Sequence, residues 1–163
     1  MSYFAAALAR TDSEWAGSEL DLADVEDLEQ LADVLRDLVG DGDGPSLLLL
    51  EEDDEYVAVL RVDGGAGALD EPRVFLSDRR AVQGSDVAAM LWQQGEDDDE
   101  DDDEGTRAVA EPVGDTGLLT DLGTSSSELL RLCAEEGTLP ADVITEVCER
   151  AGCVDVLEGL REA

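Results

Sequence analysis

The sequence predicts an α+β fold: an antiparallel sheet of about five strands, in the order β-β-α-β-β-β-α with helices on one face, followed by an acidic disordered linker and a small C-terminal helical unit. Three observations predict it. Short apolar or alternating segments recur through residues 1–94 between clusters of Gly, Pro, Asp and Ser. One long segment among them carries its apolar residues at helical spacing. Residues 96–104 are nine consecutive acids with nothing apolar, and they divide the chain into a sheet domain (1–94), a linker (95–114) and a helical unit (115–163).

Residues 3–10 are small and apolar on both faces and read as a strand. The polar turn Thr11-Asp12-Ser13-Glu14 leads to a second strand over about 15–22. There Ala16, Ser18, Leu20 and Leu22 alternate with Trp15, Gly17, Glu19 and Asp21, which predicts that the Trp15 face is the wetter one. Val25, Leu28, Leu31, Ala32, Leu35, Leu38 and Val39 fall on one helical face, with Asp24 as the expected N-cap and Gly40 closing the C-terminus. After the breaker Asp41-Gly42-Asp43-Gly44-Pro45, the apolar run 46–50 and the alternating run 56–62 flank an acidic turn and read as a hairpin. A glycine-rich loop, 63–67, precedes a last strand at 73–77, and Ser85 or Asp86 caps a helix through Val87, Met90 and Leu91.

Crowded like charge without apolar side chains cannot offset ordering entropy, so the linker is expected to be expanded. Beyond it, Ser125 and Glu128 form a capping-box pattern ahead of Leu129, Leu130, Leu132 and Cys133. Pro140 suits the first turn of the next helix, whose buried side is Val143, Ile144, Val147, Cys148 and Ala151. Gly152 breaks it, and Val154, Val156, Leu157 and Leu160 form a last amphipathic stretch. A unit of this size makes a marginal core alone, so it is expected to pack on the sheet domain or on a partner.

The chain holds 43 acidic residues against 10 basic ones, all Arg, with no Lys and no His, for a formal charge of −33. That field repels phosphate backbones and anionic lipid, so neither direct nucleic-acid nor membrane binding is expected, whereas basic partners are attracted. Without His, Ser-His-Asp and Cys-His sites are impossible; without Lys, so are Schiff-base chemistry and a P-loop. Cys133, Cys148 and Cys153 lack a fourth ligand at zinc-site spacing, and the acidic runs lack the spacing of an EF-hand, so no metal and no cofactor is expected. No targeting or spanning segment is evident near residue 1, and the expected location is the cytoplasm. The sequence thus predicts a non-enzyme that acts by binding protein.

The opening residues 1–10 with Trp15 and Glu19-Leu20-Asp21-Leu22, the hairpin 50–56, Arg61-Val62-Asp63-Gly64 and the stretch 72–78 together resemble the actinobacterial tRNA adenosine deaminase-associated proteins. The resemblance implies an accessory or regulatory role, with a tRNA adenosine deaminase as partner, and carries no catalytic residue onto this chain. The deaminase itself needs a His/Cys zinc site with a nearby Glu, which a chain without His cannot build. Two other readings stay open: an acidic nucleic-acid mimic that blocks a basic surface, and an enzyme of unrecognised type. Aromatic anchors dominate interfaces, and Trp15 and Tyr56 are the candidate partner-binding residues. The competing expectation is that both rings fill the core or cover the sheet edge, as large rings mostly do.

Overall fold

The computed structural model describes residues 3–11, 14–22, 25–39, 45–52, 56–63, 73–78, 86–91, 112–134 and 138–162. Strands β1 (Tyr3–Thr11), β2 (Glu14–Glu19), β3 (Pro45–Glu52), β4 (Tyr56–Asp63), β5 (Arg73–Leu76) and β6 (Val113–Gly114) form one antiparallel sheet in the order β2-β1-β3-β4-β5-β6. Between and after them lie the helices α1 (Leu28–Val39), α2 (Asp86–Leu91), α3 (Ser126–Ala134), α4 (Pro140–Ala151) and α5 (Val154–Glu162). The fold is α+β, as the alternation of segment types predicts.

The central strands are apolar without interruption: residues 5–9, 47–50 and 56–60 are buried throughout. Successive side chains of a strand point to opposite faces, so such runs require cover on both sides of the sheet. Ala5, Ala7, Leu48, Leu50, Tyr56, Ala58 and Leu60 meet α1 and α2 on one face. Ala6, Leu8, Leu47, Leu49, Val57, Val59 and Phe75 meet the helical unit on the other. The result is three layers with the sheet in the middle. In the upper layer α1 buries Leu28, Leu31, Ala32 and Leu35, and the Ser46 hydroxyl donates to the Leu35 carbonyl at 2.9 Å, tying β3 to the helix.

The helix start differs from the sequence expectation. Asp24 lies outside the described residues, and the cap is Asp27, whose Oδ1 accepts from the Gln30 N–H at 2.9 Å. Asp27 immediately precedes the first helical residue, the place from which a carboxylate reaches the free amides of the first turn. Gly40 and most of the linker, residues 95–111, also lie outside the description. At the far end of the linker, Val113–Gly114 is a strand: Gly114 and Val113 pair with Phe75 and Leu76, and the Asp115 N–H donates to the Val74 carbonyl at 2.9 Å.

In the lower layer the expected capping box is present: the Glu128 N–H donates to Ser125 Oγ and the Ser125 N–H to Glu128 Oε1, each at 3.3 Å. Pro140 opens α4, and Gly152 ends it at φ +91°, a left-handed conformation that glycine adopts without a Cβ penalty. The N–H groups of Gly152 and Cys153 both donate to the Cys148 carbonyl at 2.9 Å, which turns the chain directly into α5. No helix among the described residues is long and apolar enough to cross a membrane.

Candidate interaction surface

Tyr56 opens β4 in the upper core, only 3% exposed, and its hydroxyl donates to Glu52 Oε1 at 2.8 Å. Trp15 is half-buried on the lower face, and its indole N–H donates to the Ala151 carbonyl at the end of α4, at 3.2 Å. The structure therefore places the first ring in the core and uses the second as a tie between β2 and the helical unit. It does not bring them together: Tyr56 lies on the upper face and Trp15 on the lower. The expectation that the Trp15 face is the wetter one holds toward residue 22, where Glu19 and Asp21 are exposed and Leu20 and Leu22 pack into the upper core, and is reversed at Trp15. That face lies under α5, while Ala16 on the opposite face is exposed.

The arginines are largely engaged inside the fold. Arg61, buried on β4, donates from Nη1 and Nη2 to both carboxylate oxygens of Asp121 at 2.6 and 2.9 Å and to the Leu118 carbonyl at 2.6 Å. Arg73 on β5 donates to Asp115 at 2.7 Å. These guanidinium hydrogen bonds hold the Asp121 and Asp115 carboxyls below the usual carboxylate range. Arg161 donates to Thr145 Oγ1 at 2.8 Å and lies 5.6 Å above the Phe4 ring, linking α5, α4 and β1. Charge pairing here joins elements, and the outward faces keep their carboxylates: Glu26, Asp27, Glu29, Asp33 and Asp37 on and before α1, Asp155, Glu158 and Glu162 on α5.

No group of three or more Cys, Asp or Glu among the described residues is placed to hold a metal ion. Cys148 and Cys153 are buried in the lower core, where their mutual hydrogen bond and desolvation push the Cys148 thiol up; burial alone pushes Cys133 up to about 11. The same hydrogen bond pulls the Cys153 thiol down, whereas Cys133 and Cys148, so raised, are poor nucleophiles at neutral pH. An open groove between α3 and α4 is lined by Arg131, Leu132, Ala134, Glu146 and Arg150. Glu128 and Glu146 lie 3.0 and 3.1 Å from Arg150 and neutralise it, so the groove carries no strong field of either sign.

Among the described residues, β2 forms one outer edge of the sheet. The Leu20 N–H donates to the Ala5 carbonyl at 2.9 Å, which fixes the alternation of the β1–β2 ladder. Even-numbered residues of β2 face β1, so the N–H and C=O groups of Trp15, Gly17 and Glu19 point away from the sheet. No strand among the described residues pairs with them. The rim is acidic and low: Glu14, Ala16, Glu19 and Asp21 are exposed, and Gly17 brings no side chain at all. Gly17 is required by close approach, since a Cβ there would meet Leu8 Cδ2 at 2.6 Å, the Ala7 carbonyl oxygen at 2.9 Å and Val156 Cγ1 of α5 at 2.9 Å. Sequence alternation missed this edge because strand order, which decides what is an edge, is set by pairings distant in sequence.

Comparison with known proteins returns no match among curated proteins and none among solved structures. A family model does match, over residues 3–154, and its description is Rv3753c-like tRNA adenosine deaminase-associated protein.

Proposed function

Because the chain belongs to the Rv3753c-like tRNA adenosine deaminase-associated family, we propose that it is a non-catalytic accessory or regulatory protein whose partner is a tRNA adenosine deaminase in the cytoplasm. The observation that carries the reading is the extent of the match. It runs through the whole sheet and stops at the first residue of α5, so the sheet, the upper layer and the helices α3 and α4 of the lower layer lie within the matched residues. The surface chemistry supports it: a body of charge −33 is complementary to the basic surface with which a protein holds tRNA. The lack of His and Lys supports the non-catalytic part.

The test is direct binding of the purified chain to the purified deaminase, by calorimetry at about 50, 150 and 300 mM salt. A defined stoichiometry that survives 150 mM salt is the expected result. The absence of binding at every salt concentration would overturn the reading. Adding tRNA separates the accessory role from an acidic mimic of nucleic acid: a mimic is displaced competitively, whereas an accessory subunit stays bound beside the RNA. Deamination of tRNA by the chain alone would overturn the non-catalytic assignment.

A further inference from the structure

The outer edge of β2 combines three properties rarely left together. It presents outward backbone groups at Trp15, Gly17 and Glu19; its register with β1 runs without interruption from Ala6↔Glu19 to Thr11↔Glu14; and Ala16, Gly17 and Ser18 raise no bulk along it. Exposed edges are ordinarily blunted by proline, bulges, lysine or inward charges. β2 has no proline and no bulge. Its one defence is negative charge at Glu14, Glu19 and Asp21, reinforced by the carboxylates of α5 beneath it. That defence repels a second copy of this chain, which brings the same acids, but it attracts a strand of opposite charge.

We propose that the outer edge of β2 takes up an extended, arginine- or lysine-bearing segment of a partner protein as a further strand of the sheet. Main-chain hydrogen bonds to Trp15, Gly17 and Glu19 supply the register, and alternate basic side chains of the incoming strand, which share one face, meet the acids on that face of the rim. The proposal rests on the protein-binding reading above only in that the occupant is a protein segment; it does not require that protein to be the deaminase.

The probe is a synthetic nine-residue peptide of alternating Arg and Val, with a Glu/Val peptide of the same length as control. Amide hydrogen exchange of the intact chain should show Trp15, Gly17 and Glu19 exchanging fast when free and slowing at least about tenfold with the Arg/Val peptide, and not with the control. Glu19→Pro removes one outward N–H at a position where an edge strand tolerates proline, and should weaken the peptide at least about tenfold. Glu19→Gln keeps that N–H and should weaken it by about threefold or less. Peptide binding without protection at the three amides, equal loss in both variants, or no binding would each overturn the proposal, and the wild-type exchange pattern decides even if the proline variant unfolds. A deaminase that fails to bind while the peptide adds to β2 removes the partner assignment and leaves the edge standing.

Discussion

Trp15 and the two arginine–aspartate pairs show how single side chains hold the layers in register. Trp15→Phe keeps a ring against the lower core but removes the donor to the Ala151 carbonyl, and should cost about 1 kcal/mol of stability. Trp15→Ala loses the packing as well and should cost about 3 kcal/mol. Denaturant unfolding of the two variants separates the hydrogen bond from the ring; equal losses would show that the indole N–H contributes nothing. Asp121 and Asp115 have folded-state pKa values depressed by Arg61 and Arg73. A depressed carboxyl contributes stability that is complete above its unfolded value of about 3.9 and is lost as pH falls through the folded value. Asp121→Asn should therefore destabilise at pH 7 by only about 1 kcal/mol, because water screens a carboxylate whose side chain is 63% exposed, and the gap to wild type should close below pH 3. A gap in urea unfolding that stays constant from pH 7 to pH 2 would assign the loss to packing instead.

Elements whose causes are local were legible in the sequence. The body of α1, the hairpin of β3 and β4, and the Ser125–Glu128 box each depend on residues close in the chain and stand where their patterns put them, although α1 starts only at Leu28. The second strand was expected to run to residue 22 and stops at Glu19, because the Leu22 N–H leaves the ladder and donates to the Tyr3 hydroxyl at 2.7 Å. β6, two residues long, exists only through its pairing with β5 and carries no periodicity to detect. The cover over Trp15 was hidden from sequence for the same reason: it is α5, nearly the whole chain away. The β2–α5 contact yields its own prediction. Gly17→Ala forces the Ala7 backbone, Leu8 or α5 to shift, and should destabilise by about 2 kcal/mol, at the level of a typical overpacked core. A Tm within 1 °C of wild type would show that α5 can move off β2 at no cost.

Across the whole molecule a net charge of −33 acts on the fold, and most of the described arginines are already paired within it, so the compact state works against its own field. Raising salt from 10 to 500 mM shortens the Debye length from about 30 Å to a few ångströms and should raise Tm by at least about 3 °C. A Tm that is flat in sodium chloride would mean that the outward carboxylates are too far apart to repel. The same layered build has a consequence for the order of synthesis. Everything needed for the upper core precedes residue 92, whereas the lower face of the sheet, with Leu8, Leu47, Leu49, Val59 and Phe75, is covered only by residues from 118 onward. At about 5–20 residues per second, a ribosome needs several seconds to deliver that cover. For that interval the nascent sheet has one greasy side bare, and the nine-acid run has already been added to the same chain. A message truncated just after that run would yield a polypeptide with five of the six strands, no lid over its second core, and a strong tendency to be caught by chaperones.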